Sequence, residues 1–415
     1  MHDFGFKNGE MYCEGVPLQR IAGDVDTPSY VYSRHTLRDH FHRLDEAFST
    51  LPHLICYSVK ANSNLAVVST LAAEGAGADI VSGGELYRAL KAGIEAEKIV
   101  FAGIGKTEEE MAYALRSGIL MFNVESPVEL AALDRVAGEL GMTAKIALRV
   151  NPDVDAETHP YIATGLKEAK FGIRIEEALS TYEHAASLAH VEVVGVHQHI
   201  GSQITQVEPF SESLAILAEL VAVLQAKGIA IRYINIGGGF GIPYQEEEVP
   251  YPRDYAQAFD SILRGSGCTV ILEIGRMIVG NAGVLLTRVL YRKHTGEKKF
   301  LVVDAAMNDL LRPSLYGSFH RIVPVKKMER EEEKVDVVGP VCESGDFLAR
   351  GRELPRAEPG ELLAVMSAGA YAFAMSSNYN SRRRAAEVMV DGDRFGVVRE
   401  RENYEDLVRG ERDLD

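Results

Sequence analysis

The sequence predicts an α/β chain: a (β/α)8 TIM-type barrel joined to an all-β domain that also takes in the N-terminal strand. Three observations predict it. Short β-branched runs alternate with amphipathic helical stretches from about residue 53 to 276, eight units at the length and rhythm of such a barrel. Beyond residue 276 strand-like runs dominate, with only short helical pieces between them. The 415 residues exceed one ordinary core and suit two domains.

The eight runs are His53–Val59, Ala78–Ser82, Lys98–Ala102, Ile119–Val124, Ala144–Val150, Val191–Ile200, Ile231–Ile236 and Thr269–Ile274. Glu129–Leu140 and Phe210–Lys227 read as helices; the second carries Leu214, Leu217, Ala218 and Val221 on one face. A doubly wound open sheet is the competing architecture. It would usually place a glycine-rich turn after its first strand, where this chain has Lys60-Ala61-Asn62. The barrel is expected over residues 34–279, and the β domain over 1–33 and 280–415. Strands of that domain are expected at Glu10–Cys13, Ser29–Ser33, Val279–Tyr291, Lys299–Asp304, Val335–Val338, Glu361–Met366 and Ala386–Val390. The charged run Lys326–Lys334 reads as a solvated loop or turn.

Composition narrows the function classes. Apolar residues at 46% and charged residues at 25% are those of a globular chain. With 44 Lys and Arg against 60 Asp and Glu, the net charge is -16, which disfavours nucleic acid and anionic membranes as partners. Any bound anion must be held by a local cluster. The N-terminus lacks a signal-peptide pattern, and no uncharged apolar run is long enough to span a bilayer. Cys13, Cys56, Cys268 and Cys342 are scattered without metal-ligand spacing, so the expectation is reduced thiols in the cytoplasm and no metal.

Barrel chemistry gathers at the C-terminal ends of the strands. The first run leads into Lys60, which is either a surface lysine or an amine poised to form an imine. The sixth ends in His197-Gln198-His199, whose two histidines share a face; they read as a hydrogen-bonded pair, or weakly as zinc ligands lacking a third partner. The seventh leads into Gly237-Gly238-Gly239-Phe240-Gly241, where backbone N–H groups can crowd round an anion. The eighth ends in Glu273-Ile274-Gly275-Arg276, a structural ion pair or a functional one. A lysine, a phosphate-binding turn and a carboxylate able to keep a pyridine nitrogen protonated together fit pyridoxal 5'-phosphate, and a protonated ring suits loss of carbon dioxide from an amino acid.

On these residues the chain resembles the diaminopimelate decarboxylase family, of the alanine-racemase-like group, over nearly its whole length. The matching segments run Tyr57-Ser58-Val59-Lys60-Ala61-Asn62, Asp79-Ile80-Val81-Ser82-Gly83-Gly84-Glu85-Leu86, His159-Pro160-Tyr161-Ile162-Ala163-Thr164-Gly165, Lys170-Phe171-Gly172, His199-Ile200-Gly201-Ser202-Gln203 and the glycine turn. They continue with Arg312-Pro313-Ser314-Leu315-Tyr316, Cys342-Glu343-Ser344-Gly345-Asp346, Gly369-Ala370-Tyr371 and Ser377-Asn378-Tyr379-Asn380. The resemblance implies that Lys60 bears the cofactor and that His199 stacks on its ring. Ser202, Gly238, Gly239 and Gly241 hold the phosphate, with Gly275 and Arg276 also at the cofactor, and Glu273 pairs with the ring nitrogen. It implies substrate binding by Arg276, Arg312, Tyr316 and Glu343, contact with both ligands by Tyr371, and proton chemistry by Cys342 from the second subunit of a homodimer with shared active sites. The reaction implied is decarboxylation of meso-2,6-diaminopimelate to L-lysine, the last step of lysine biosynthesis.

Two positions depart from the family pattern. Ile274 stands where proline is usual, removing a restraint on Glu273 and Arg276. Arg382-Arg383-Arg384-Ala385 replaces a run of alternating arginine and proline. The rival activities are decarboxylation of ornithine, arginine or a carboxylated polyamine. Arg312 argues against them, since those substrates have no remote carboxylate to grip. A non-catalytic regulatory homologue would have no need of Lys60, Arg276 and Cys342 together. A racemase is disfavoured by Glu273.

Overall fold

The computed structural model describes residues 2–154, 170–245 and 247–414, so the His159–Gly165 motif lies outside the described residues. The chain forms two compact units, one of residues 40–242 and 248–277, the other of residues 1–39, 243–247 and 278–415.

In the first unit eight parallel strands close on themselves: His53–Ser58, Gly77–Ile80, Ile99–Phe101, Met121–Val124, Ala144–Asn151, Val191–His197, Tyr233–Asn235 and Thr269–Ile274. Closure is the pairing of Glu273 with Cys56 and of Ile274 with Tyr57, in register, between the eighth strand and the first. The open-sheet alternative is thereby excluded. A short extra strand, Ile173–Arg174, pairs with the end of the fifth. The strands read as near-continuous apolar runs because both faces are covered. Cys56, Val100, Met121, Ala147, Val194 and Ile271 form a buried cluster.

Local chemistry starts the helices. Ser82 accepts the Glu85 N–H to cap Gly83–Lys91, and Thr107 and Glu110 form a reciprocal capping box on Glu108–Ser117. Ser126 caps Pro127–Leu140, with proline at the first turn, where its missing N–H has no intrahelical partner to lose. Among the described residues, Glu208–Ala226 is the helix that could cross a membrane by length and composition. Its Phe210, Leu214, Leu217, Val221 and Leu224 are buried within the protein. Phe210 meets the edges of Phe240 and Tyr255, which stack at 3.9 Å, so the glycine turn containing Phe240 is anchored in the apolar layer.

The second unit is built on a nine-stranded mixed sheet. Ser29–Ser33 sits inside it, antiparallel to Gly283–Thr295 and parallel to Ala386–Asp391. Glu10–Cys13 instead belongs to a small antiparallel sheet with Phe4–Lys7 and Val16–Pro17. The charged run at 326–334 is not all loop: Glu332, Glu333 and Lys334 begin the strand Glu332–Val338, paired with Phe347–Pro355. Glu333 pairs with Arg292 at 2.7 Å and Lys299 at 3.1 Å, while Glu332 and Lys334 are exposed, which is how so polar a segment holds a place in a sheet.

Candidate active site

The first strand ends at Ser58, and a single 3-10 turn, Val59–Ala61, carries Lys60. Lys60 Nζ donates to Asp79 Oδ2 at 2.7 Å; the lysine side chain is 35% exposed and the aspartate fully buried. Ser58 Oγ reaches the same carboxylate oxygen at 2.7 Å and the Glu273 carbonyl at 2.9 Å, tying strands one, two and eight together. Burial and the nearby Glu273 carboxylate push the Asp79 carboxyl up, against the pull of Lys60. Glu85 turns back to accept the Val81 N–H at 2.8 Å, and burial pushes its carboxyl up to about 7.

Glu273 is buried near the end of strand eight. Its Oε1 accepts Asn123 Nδ2 at 2.8 Å and Asn235 Nδ2 at 2.7 Å, and Oε2 lies 3.4 Å from His197 Nε2. Burial opposes ionisation, but His197 and Lys60 outweigh it and hold the carboxyl well below the usual range. The two histidines are not a hydrogen-bonded pair. His199 Nδ1 faces the Gly238 N–H at 3.1 Å, whereas neither ring nitrogen of His197 makes a hydrogen bond among the described residues. Accepting that N–H places the proton of a neutral His199 on Nε2. Burial keeps His199 neutral, well below its ordinary value, with Arg149 and Lys60 pushing the same way. No cluster of three or more metal-ligating side chains occurs among the described residues.

The glycine turn is shaped by backbone packing. A Cβ on Gly238 would fall 2.0 Å from the Glu273 carbonyl oxygen, and one on Gly239 2.3 Å from that of Gly201. The N–H groups of Gly237, Gly238 and Gly241 go to Asn235, His199 and Ile204, while those of Gly239 and Phe240 make no hydrogen bond among the described residues. Arg276 Nη2 donates to Ser202 Oγ at 3.0 Å beside this turn. Gly275 lies against Ala61 and Ser58, where a Cβ would meet theirs at 2.9 and 3.0 Å. A lysine amine, a buried ionised carboxylate, a neutral imidazole and a turn with two undirected N–H groups beside an arginine match the amine-reactive aldehyde, ring nitrogen, ring face and phosphate of pyridoxal phosphate. Ile274 is buried in the ladder opposite Tyr57, so strand pairing restrains the residues around it without proline.

The second unit holds the remaining predicted residues. Arg312 is buried; its Nη1 lies 3.0 Å from His320 Nε2, its Nη2 donates to Ser318 Oγ at 3.3 Å, and it sits 4.6 Å from the Tyr244 ring centre. Tyr316 closes the short helix Arg312–Tyr316, and Ser314 within it donates to the Gly345 carbonyl. Asp346 accepts the Val341 and Met307 N–H groups, both at 2.7 Å, folding the loop that leaves Cys342 and Glu343 exposed. Asn380 Oδ1 accepts the Cys342 N–H at 2.9 Å, and the nearby Glu343 carboxylate pushes the Tyr379 hydroxyl up from its ordinary range. Tyr371 takes a left-handed backbone, φ 54°, two residues after Gly369, where a Cβ would strike the Val279 carbonyl at 1.8 Å. The arginine run is anchored: Arg382 donates to Asn308 and to the Asp304 carbonyl, Arg383 lies over Tyr404, and Arg384 donates to the Ser376 carbonyl.

Residues 34–280 match the pyridoxal binding domain of the pyridoxal-dependent decarboxylases. The chain is 54% identical to a diaminopimelate decarboxylase of Pseudomonas aeruginosa, over 99% of each chain. The chain belongs to the diaminopimelate decarboxylase family. Two solved structures agree. A Helicobacter pylori diaminopimelate decarboxylase complexed with L-lysine superposes with TM-score 0.92 at 45% identity, covering 94% of this chain and 98% of that one. One from M. jannaschii, also with L-lysine, gives 0.94 at 39%, covering 98% of each. The likeness to a Vibrio vulnificus lysine/ornithine decarboxylase, 21% identical, carries the fold alone. The family is one of pyridoxal-phosphate-dependent decarboxylases, so this chain is an enzyme that uses that cofactor.

Sequence reasoning missed Asn123 and Asn235, and gave Asp79 no role. The available signal was a polar side chain near the C-terminal end of an otherwise apolar barrel strand.

Proposed function

We propose that this enzyme decarboxylates meso-2,6-diaminopimelate to L-lysine, the last step of lysine biosynthesis. The observation that carries the proposal is identity of 54% over 99% of both chains with a diaminopimelate decarboxylase.

Bound pyridoxal phosphate supplies an electron sink for the pair released when a carbon–carboxylate bond breaks. Lys60 would hold its aldehyde end and Glu273 its ring nitrogen, and the neutral His199 would face the ring. Ser202, Gly238, Gly239, Gly241, Gly275 and Arg276 would hold the phosphate. Arg276, Arg312, Tyr316 and Glu343 bind substrate, with Tyr371 touching both ligands. Arg312 takes the remote carboxylate through charge-assisted hydrogen bonds and Glu343 takes the remote amine. Cys342 delivers a proton to the carbon that has lost carbon dioxide. Exposure of Cys342, Glu343 and Ser344 in the single chain supports a homodimer in which each site draws Cys342 of the partner subunit to Lys60. The acidic composition and four free thiols support a cytoplasmic enzyme.

The test offers purified protein with pyridoxal phosphate, and meso-diaminopimelate, ornithine and arginine separately, while carbon dioxide is measured. Release from diaminopimelate supports the proposal; release from ornithine or arginine in its place refutes it.

A further inference from the structure

The Glu273 carboxylate is held asymmetrically. Both amide donors, Asn123 Nδ2 at 2.8 Å and Asn235 Nδ2 at 2.7 Å, go to Oε1, leaving Oε2 to His197 at 3.4 Å. The three partners come from strands four, seven and six, and none is more than 1% exposed. Each is itself fixed or costly. Asn235 Oδ1 accepts the Gly237 N–H at 2.9 Å, which orients its amide and links the glycine turn to Glu273. The Asn123 backbone carbonyl is held by Lys106 Nζ at 2.8 Å, and Lys106 is in turn paired with Glu129 at 2.7 Å. Asn123 Oδ1 and both His197 nitrogens are buried without hydrogen bonds among the described residues. Buried polar groups left unsatisfied lower stability, so a purely structural core would favour apolar residues here.

We infer that Asn123, Asn235 and His197 are positioning residues that saturate one oxygen of Glu273 and aim the other at the cofactor's ring nitrogen. The inference rests on the reading that Glu273 pairs with that nitrogen. Two neutral amides donating to one oxygen stabilise the ionised carboxylate and fix its rotation. His197, across from them, limits how far Oε2 can swing. The glycine turn and the carboxylate then move as one body, because Asn235 bonds to both. A cofactor gripped at phosphate and ring nitrogen would meet two ends of a single preorganised frame.

The test uses the full-length enzyme and the variants Asn123→Leu, Asn235→Leu, His197→Phe and His197→Gln. Folding of each is checked by circular dichroism and thermal melting. Pyridoxal-phosphate affinity and the visible spectrum of the bound cofactor are read alongside kcat and KM. The leucine variants and His197→Phe should bind the cofactor more weakly, shift its absorption, and lose about tenfold in kcat with KM within about twofold of wild type. His197→Gln keeps a polar side chain facing Oε2 and should recover part of the loss seen in His197→Phe. Should a leucine variant fail to fold, Asn123→Ser and Asn235→Ser, which keep a short polar side chain, take its place with the same expectations. Folded, loaded variants with wild-type spectrum, affinity and kcat would overturn the inference. Affinity and spectrum need no turnover of diaminopimelate, so a wrong substrate assignment would leave them able to decide.

Discussion

Lys60 Nζ and Asp79 Oδ2 are 2.7 Å apart, a partly buried amine against a fully buried carboxylate. The pair places Lys60, the proposed cofactor lysine, at the end of the first barrel strand, held from the second. Borohydride reduction of the cofactor-loaded enzyme should therefore fix pyridoxal phosphate to a single peptide, the one containing Lys60. Peptide mass spectrometry checks this, and modification at another lysine would contradict the assignment.

Arg312 is expected to set specificity. A charge-assisted contact to a carboxylate contributes roughly 1.5–3 kcal/mol, so Arg312→Ala should lower kcat/KM for diaminopimelate by about one to two orders of magnitude. The visible spectrum of the bound cofactor should be unaltered. An unchanged kcat/KM would remove Arg312 from substrate recognition.

Glu85 should impose a pH slope on stability. Burial raises its carboxyl to about 7 in the folded protein, against an ordinary value of 4.5. Between those values the folded state binds more protons than the unfolded state, so stability falls as pH rises through that window and levels off above it. Glu85→Gln can still accept the Val81 N–H but cannot ionise. Urea unfolding at several pH values should show the slope from this group lost in the variant, with its advantage over wild type largest above pH 7. Parallel wild-type and variant profiles would show that Glu85 titrates normally.

The eight barrel strands were legible because a strand covered on both faces is a short apolar run, and runs such as Ala144–Val150 differ little from the strands observed. The glycine turn and Glu273 stood out because their residue types are unusual at strand ends. Strand Phe347–Pro355 was not legible: its sequence, Phe-Leu-Ala-Arg-Gly-Arg-Glu-Leu-Pro, gains its ladder from Glu332–Val338, a partner no local pattern reveals. Nor was the frame of Asn123 and Asn235, since those amides are 150 and 38 residues from Glu273 and meet it from across the barrel and from the neighbouring strand. The histidine pair misled because the strand stops at His197, so the two rings do not share its face; His199 lies beyond the strand end and turns to the Gly238 N–H instead.

The proposed sharing of sites between subunits predicts complementation. Lys60→Ala and Cys342→Ala should each be nearly inactive. When they are mixed and exchange subunits, half the dimers become mixed, and each mixed dimer carries one intact site. Activity should recover to roughly a quarter of wild type. Exchange verified by mass spectrometry with no recovery would place both residues of each site in one chain.

The central claim is the reaction itself, and product stoichiometry tests it most directly. The enzyme, loaded with pyridoxal phosphate, is given meso-diaminopimelate, and lysine is quantified by chiral chromatography against the carbon dioxide released. The account predicts one L-lysine per carbon dioxide. Interconversion of diaminopimelate stereoisomers without carbon dioxide, or carbon dioxide without equimolar L-lysine, would contradict it.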